Sequence, residues 1–435
     1  MAAPITTIDP APAAGAGPGA RAALRLCTAG SVDDGKSTFV GRLLHDTRSI
    51  LADQYDAVAA GSAARGRSGV DLALLVDGLR AEREQGITID VAHRYFATPA
   101  RSFILADCPG HEQYTRNTVT GMSTAEAVVL LVDARHGVVT QTRRHATVAA
   151  LLGVRHLIVA VNKIDLLDFA EAPFRAIEAE VRELGARLGL PGIDVVPVSA
   201  LDGDNVVARS ARTPWYAGPA VLELLEGLDL AADAAAAAAA DLRLPVETVL
   251  RHPEGDYRGY AGRIAAGRVR PGDRVDLPGG RRARITGLTR SGDPVDSAAA
   301  GDSVALTLDA QVDLARGDLI AVAPPEPTRA IGATVVHLAD RPLPVGRTVL
   351  LRHGAAEVRA RVAEVRRLID VDTGAGAAGA DRLAANDLAE VRIELAAALP
   401  VEPHRGGAIA GFSRIGVLLL VDPADGDTLA AGLVR

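Results

Sequence analysis

The sequence predicts a multidomain protein: an α/β domain carrying a P-loop, followed by two all-β barrel domains. Three observations carry that prediction. Short apolar runs alternate with longer amphipathic stretches from Ala22 to about Leu228, a glycine-rich turn directly follows the first apolar run, and turn-forming residues recur at short intervals after Leu242. Strands alternating with helices imply βαβ units and a mainly parallel sheet. Regular turns between alternating segments imply barrels or sandwiches instead. The length of 435 residues allows roughly three domains at about 150 residues each.

Residues 1–21 are rich in Ala, Pro and Gly, with neither a basic n-region nor an apolar h-region, and read as a disordered lead-in rather than a signal peptide. Residues 22–229 form the α/β domain. Its expected strands are Leu24–Ala29, Val91–Ala97, Ser102–Asp107, Ala127–Asp133, His156–Asn162 and Asp194–Ser199. Its expected helices are Ser37–Leu44, Thr140–Leu152, Ala172–Leu188 and Ala220–Leu228. Residues 230–242 are an alanine-rich linker, open to a helix but read first as a plain spacer. The first barrel, 243–327, is marked by the turns Pro271-Gly272-Asp273, Gly279-Gly280 and Ser291-Gly292-Asp293 and by the segments Arg281–Gly287 and Ser303–Leu308. Pro324-Pro325-Glu326-Pro327 then separates the second barrel, 328–435, with strands expected at Thr348–Arg352, Ala356–Leu368, Glu390–Leu395, Val417–Asp422 and Thr428–Val434.

Composition narrows the class. With 48% hydrophobic and 23% charged residues the chain is neither disordered nor collagen-like. A net charge of −7 argues against a general nucleic-acid or membrane-surface binder, leaving room for a local basic patch. Two cysteines, Cys27 and Cys108, cannot build a disulfide framework, and no run of apolar residues is long enough to span a membrane, so a cytoplasmic protein is expected. Arginine pairs such as Arg143-Arg144, Arg281-Arg282 and Arg366-Arg367 read as solvated faces. Of the 47 basic residues only two are lysines, Lys36 and Lys163. A compact ammonium and a planar guanidinium are different tools, and both lysines fall inside nucleotide-binding motifs.

Gly30-Ser31-Val32-Asp33-Asp34-Gly35-Lys36-Ser37 fits G-x-x-x-x-G-K-[ST] between a strand and a helix. Its glycines let successive N–H groups turn toward phosphates at a helix N-terminus. Lys36 is expected to bridge the β- and γ-phosphates and Ser37 to ligate Mg²⁺. Asp107, ending the third expected strand, is placed to hold Mg²⁺ through water, and the Gly110 N–H to meet the γ-phosphate. Asn162-Lys163-Ile164-Asp165 ends the next parallel strand. Asp165 can accept from the guanine N1–H and 2-amino group, which adenine does not offer, while the Lys163 stem covers the base and Asn162 ties this loop to the phosphate loop. In Ser199-Ala200-Leu201 the Ala200 N–H is expected to donate to guanine O6. Four motifs in this order, each at an expected strand end, specify a P-loop GTPase domain using GTP and Mg²⁺. Within Glu82–Asp90, Thr88 is the expected second side-chain Mg²⁺ ligand when a γ-phosphate is present. His111, following Gly110, is placed to orient the attacking water.

Pro109-Gly110-His111 and Gly86-Ile87-Thr88-Ile89, with two β-barrels after the G domain, resemble the translation-factor superfamily of GTPases. Gly30 to Thr38, Leu75–Leu79 with Ala81–Gln85, His111–Asn117, Gln141–His145 and Arg258–Gly262 more narrowly resemble the GTPase subunits of bacterial sulfate adenylyltransferases. The resemblance runs from about residue 22 to 435. It implies that Gly30 to Thr38 belong to the nucleotide site and that the chain forms a heterodimer with a small ATP-pyrophosphatase-type subunit. On that partner ATP and sulfate give adenylyl sulfate and pyrophosphate, driven by GTP hydrolysis here. The chain lacks an S-G-G-x-D-S pyrophosphate loop, and no third lysine remains for a second phosphate loop, so neither adenylyl transfer nor an adenylyl-sulfate kinase activity is expected of it. Asp34 stands where translation factors typically carry His, which favours the sulfate reading. The alternative is an elongation-factor-type GTPase delivering tRNA.

Overall fold

The computed structural model describes residues 21–50, 58, 70, 72–75, 90–154, 156–190, 192–251, 257–373, 375–404 and 415–435. The α/β part is built from β1 (Arg21–Gly30), α1 (Lys36–Asp46), β2 (Ala92–Ala97), β3 (Arg101–Asp107), α2 (Thr115–Met122), β4 (Ala127–Asp133), α3 (Thr140–Leu151), β5 (His156–Asn162), α4 (Glu171–Leu188), β6 (Ile193–Pro197) and α5 (Val221–Gly227). The strands lie in the order β2-β3-β1-β4-β5-β6, all parallel except the antiparallel edge strand β2.

β4 is buried along its whole length because its two faces enter different layers. Val128, Leu130 and Val132 pack with residues of α2, α3 and α4, while Ala127, Val129 and Leu131 pack with Phe39, Val40 and Leu43 of α1 and Leu225 of α5. A strand covered on both sides reads as a continuous apolar run, which is what made it visible in the sequence. β1 lies between β3 and β4, so the strand order reverses at its carboxyl end, where ligands of open α/β sheets bind.

Two helices differ from the sequence reading. Helix α2, whose sequence Thr-Arg-Asn-Thr-Val-Thr-Gly-Met is poor in strong helix formers, forms because Thr115, Thr118, Val119 and Met122 are buried against the sheet. The alanine-rich spacer is a helix, α6 (Ala231–Ala239), as alanine's propensity favours. It is anchored: Ala237 is buried and its carbonyl accepts the Gly267 N–H at 2.8 Å.

The strands between Arg243 and Ala321 form an open, half-barrel sheet whose interior holds Leu244, Tyr260, Val275, Ile285, Leu306 and Ile320. The strands between Thr328 and Val434 close into a barrel, because Thr348–His353 pairs with both Ala356–Ile369 and Val417–Val421. An Arg243–Glu402 ion pair at 2.5 Å joins the two β parts. Thr140 of α3 donates to Asp372 of the last barrel at 3.1 Å. Among the described residues no helix is long and apolar enough to cross a membrane.

Candidate nucleotide-binding site

The site lies at the carboxyl ends of β1, β3, β4 and β5. Chain direction after β1 is set by backbone only glycine adopts easily: Gly30 and Gly35 have φ of 147° and 91°. A Cβ on Gly35 would also clash with Asn162 Nδ2. Between the glycines the loop is held by its own side chains. Asp34, buried, accepts the Ser31 N–H at 2.5 Å, and burial raises its carboxyl above the usual value. Lys36 donates from Nζ to the carbonyls of Gly30 at 3.1 Å and Ser31 at 2.6 Å. Burial lowers the Lys36 pKa against the opposing pull of Asp34 and Asp107. Ser37 and Thr38 follow in the first turn of α1, both half-buried, while Val32 and Asp33 are exposed at the loop tip.

Gly110 lies hard against this loop. A Cβ there would clash with Lys36 Nζ and stand 2.8 Å from the Gly30 carbonyl oxygen, so the segment after β3 approaches the ammonium as backbone alone. Asp107, fully buried at the end of β3, accepts from Thr28 Oγ1 at 2.7 Å. His111 is half-buried, edge-on to Tyr114 at 6.0 Å, and its Nδ1 is buried with no partner among the described residues. Thr88 lies outside the described residues. The cysteines meet behind the site, Sγ to Sγ at 3.2 Å. Hydrogen bonding to Cys27, together with burial, pushes the Cys108 thiol pKa up.

Asn162 makes the site one unit. Its Nδ2 donates to the Asp34 carbonyl at 2.8 Å, and its Oδ1 accepts the Ala200 N–H at 2.9 Å. One side chain therefore clamps the phosphate loop to the Ser199–Leu201 loop. The Ala200 N–H, expected to face guanine O6, is engaged with Asn162 instead. Lys163, left-handed at φ 63°, reaches back across the loop to the Asp33 carbonyl and to Asp133 at 2.9 Å. Asp165 sits half-buried in the following turn, and Leu201 is 64% exposed.

Two residues of the site were not singled out from the sequence. Asp133, at the end of β4, accepts from Arg135 and Lys163. Burial pushes its pKa up, but these hydrogen bonds outweigh it and hold the carboxyl well below the usual range. Its signal was its place as the only polar residue ending an all-apolar strand. His145 of α3 is buried beneath the phosphate loop and accepts the Gly30 N–H on Nδ1 at 3.2 Å. Burial, with Lys36 and Arg144 nearby, brings its pKa down to about 3, so the ring is neutral. With Nδ1 accepting, the ring proton lies on Nε2. His145 belonged to a quoted motif, but nothing local says that an α3 side chain reaches β1.

Residues 21–234 match the elongation factor Tu GTP binding domain family, and residues 330–435 the GTP-eEF1A C-terminal domain-like family. The chain is 48% identical to sulfate adenylyltransferase subunit 1 of Laribacter hongkongensis, over 95% of this chain and 85% of the relative. It is 43% identical to sulfate adenylyltransferase subunit 1 of Bacteroides fragilis, over 94% of this chain and 85% of the relative. It is 46% identical to the bifunctional enzyme CysN/CysC of Mycobacterium tuberculosis, over 94% of this chain and 67% of that longer protein.

Proposed function

Since the chain belongs to the sulfate adenylyltransferase subunit 1 family, we propose that it hydrolyses GTP to drive adenylyl sulfate and pyrophosphate formation from ATP and sulfate on a small ATP-pyrophosphatase-type partner. It is the GTPase subunit of that enzyme, and the designation subunit 1 implies a partner subunit. The observation that carries the nucleotide reading is the Asn162 clamp, which fixes the phosphate loop and the base-side loop at one distance. Asp165 then reads the guanine edge, and the Lys163 stem and Leu201 offer apolar cover for its two faces.

The donor set suits Mg²⁺, a hard cation that keeps several waters: the Ser37 hydroxyl lies in the first turn of α1, and Asp107 presents a buried carboxyl from β3. Thr88 is the proposed third ligand. When bound, Mg²⁺ would neutralise charge on the β- and γ-phosphates. Lys36, already aimed at the loop centre, holds the same oxygens. The Gly110 N–H binds the γ-phosphate, and His111 orients water for attack in line. The site needs neither a membrane nor a nucleic acid, and a cytoplasmic setting fits its reduced cysteine pair.

The division of labour is tested with ATP, sulfate, Mg²⁺ and GTP. Adenylyl sulfate yield should exceed the GTP-free equilibrium only when this chain and its partner are both present, and the Lys36→Ala chain should not support the excess. Sustained sulfate-dependent pyrophosphate release by this chain alone would refute the assignment of adenylyl transfer to the partner.

A further inference from the structure

We infer that the exposed arginine face of the half-barrel, on the paired strands Arg274–Leu277 and Arg281–Arg290, is where an acidic surface of the partner subunit docks. The inference rests on the reading of this chain as one subunit of a two-subunit enzyme. It begins with charge segregation. In a chain of net charge −7, residues 268–290 hold seven arginines, Arg268, Arg270, Arg274, Arg281, Arg282, Arg284 and Arg290, against the two acids Asp273 and Asp276.

The fold concentrates this charge rather than dispersing it. Val275, Leu277, Ala283 and Ile285 point inward, so Arg274, Arg282 and Arg284 share the outer face by strand alternation. In the antiparallel register Arg274 stands directly opposite Arg284, and like charges directly opposite are destabilising. Among the described residues no acid forms an ion pair with either arginine. Asp273 accepts the Arg270 backbone N–H, Asp309 accepts the Arg284 backbone N–H, and Asp276 pairs with Arg282 at 3.1 Å. Arg284 donates to the Gly272 carbonyl at 2.7 Å, which orients its fork without cancelling its charge. Arg268, Arg270 and Arg274 have no ion-pair partner among the described residues.

The closed barrel supplies an internal control. There three outward arginines stand opposite glutamates: Arg361 faces Glu394 with an ion pair at 2.7 Å, Arg367 faces Glu390 at 2.8 Å, and Arg352 faces Glu357 at 2.7 Å. The half-barrel does the same for Arg282 with Asp276 and Arg290 with Asp302, but leaves the Arg274–Arg284 rung charged. A face that keeps uncompensated guanidinium groups in fixed register suits carboxylates arriving from outside. A polynucleotide fits less well, because no aromatic residue lies between 268 and 290 to stack on bases.

The test titrates the purified partner subunit into the full-length chain by calorimetry at several salt concentrations. Arg268→Glu/Arg274→Glu should weaken binding by at least about tenfold and flatten its salt dependence. Its melting temperature should hold or rise by about 1–2 °C, because the carboxylate introduced by Arg274→Glu would stand opposite Arg284, as glutamates stand opposite arginines on the closed barrel. GTP hydrolysis by the chain alone should not change. Arg361→Glu, a charge reversal on the closed barrel, should leave docking intact. Unchanged partner affinity and salt dependence in the double variant would overturn the docking face. So would a fall in melting temperature accompanying lost binding, or tight binding of bulk tRNA by the wild type that the double variant loses. Absence of any binding between wild-type chain and partner would instead overturn the two-subunit reading itself, and the docking face with it.

Discussion

The phosphate side and the base side of the nucleotide site are held by different means. Behind the phosphate loop each of these supports is a buried side chain: His145 takes the Gly30 N–H, Asp34 takes the Ser31 N–H, and Lys36 caps two carbonyls. On the base side the one buried side-chain tie is Asn162. Lys163 spans the gap by a long arm, and Asp165 and Leu201 sit toward solvent. The loop for phosphate is thus organised before ligand arrives. The base side presents a reading edge that the nucleobase completes. Errors on the base side should change which nucleotide binds, and errors on the phosphate side should change what happens to it.

The largest expected effect tests the first half of that contrast. Asp165→Asn should lose GTP affinity by roughly 10⁴-fold and gain xanthosine triphosphate, because a polar site that recognises a hydrogen-bonding edge rejects the mismatched one strongly. Calorimetry with GTP, ATP and xanthosine triphosphate checks it. Equal GTP and ATP affinity in the wild type would remove Asp165 from the base-reading role. A smaller effect probes the phosphate side. His111→Ala should bind GTP as before and hydrolyse it roughly 10²-fold more slowly with the partner present. Phosphate release at the wild-type rate would leave His111 a packing residue against Tyr114.

What the sequence made legible follows the same division. β4 and β5 were visible residue for residue, because a strand buried on both faces leaves an unbroken apolar run. The phosphate loop was legible because its glycines answer to backbone geometry, and Lys36 and Lys163 because an arginine-biased chain had kept them. Asp133 and His145 were not legible as site residues. Each acts across the sheet order, Asp133 through a lysine from the next strand and His145 through a helix more than a hundred residues after Gly30. Linear spacing carries no trace of such contacts. The exposure of Arg281-Arg282 and Arg366-Arg367 was legible, but the pairing of the arginine rungs was not: register decides whether a neighbour is Glu394 or another arginine, and register is a property of paired strands. Helix α2 was missed because burial, not propensity, makes it.

The smallest expected effect concerns His145, whose influence should be nearly silent at neutral pH. Its native pKa lies at about 3, against 6.5 for the free side chain. Between those values the unfolded chain binds a proton that the native chain refuses, so stability rises with pH across that window. The contribution is fully present above pH about 6.5 and is lost progressively as the pH falls toward about 3. His145→Gln keeps an acceptor for the Gly30 N–H and removes the titration. Near neutral pH the variant should therefore differ little from the wild type. On acidification from about pH 6.5 to about pH 5, the wild type should lose roughly 2 kcal/mol that the variant keeps, at 1.36 kcal/mol per proton per pH unit. Trp215, the only tryptophan, packs on Phe174 of α4 and donates to the Phe169 carbonyl, so its fluorescence reports unfolding of the α/β part. His337, His353 and His404 also have pKa values lowered by burial, but all lie in the last barrel and cancel in the difference between wild type and variant. Parallel denaturation curves for the two proteins from neutral to acid pH would show that His145 is charged or solvated in the native chain. The phosphate loop would then lack the neutral acceptor that fixes its first peptide.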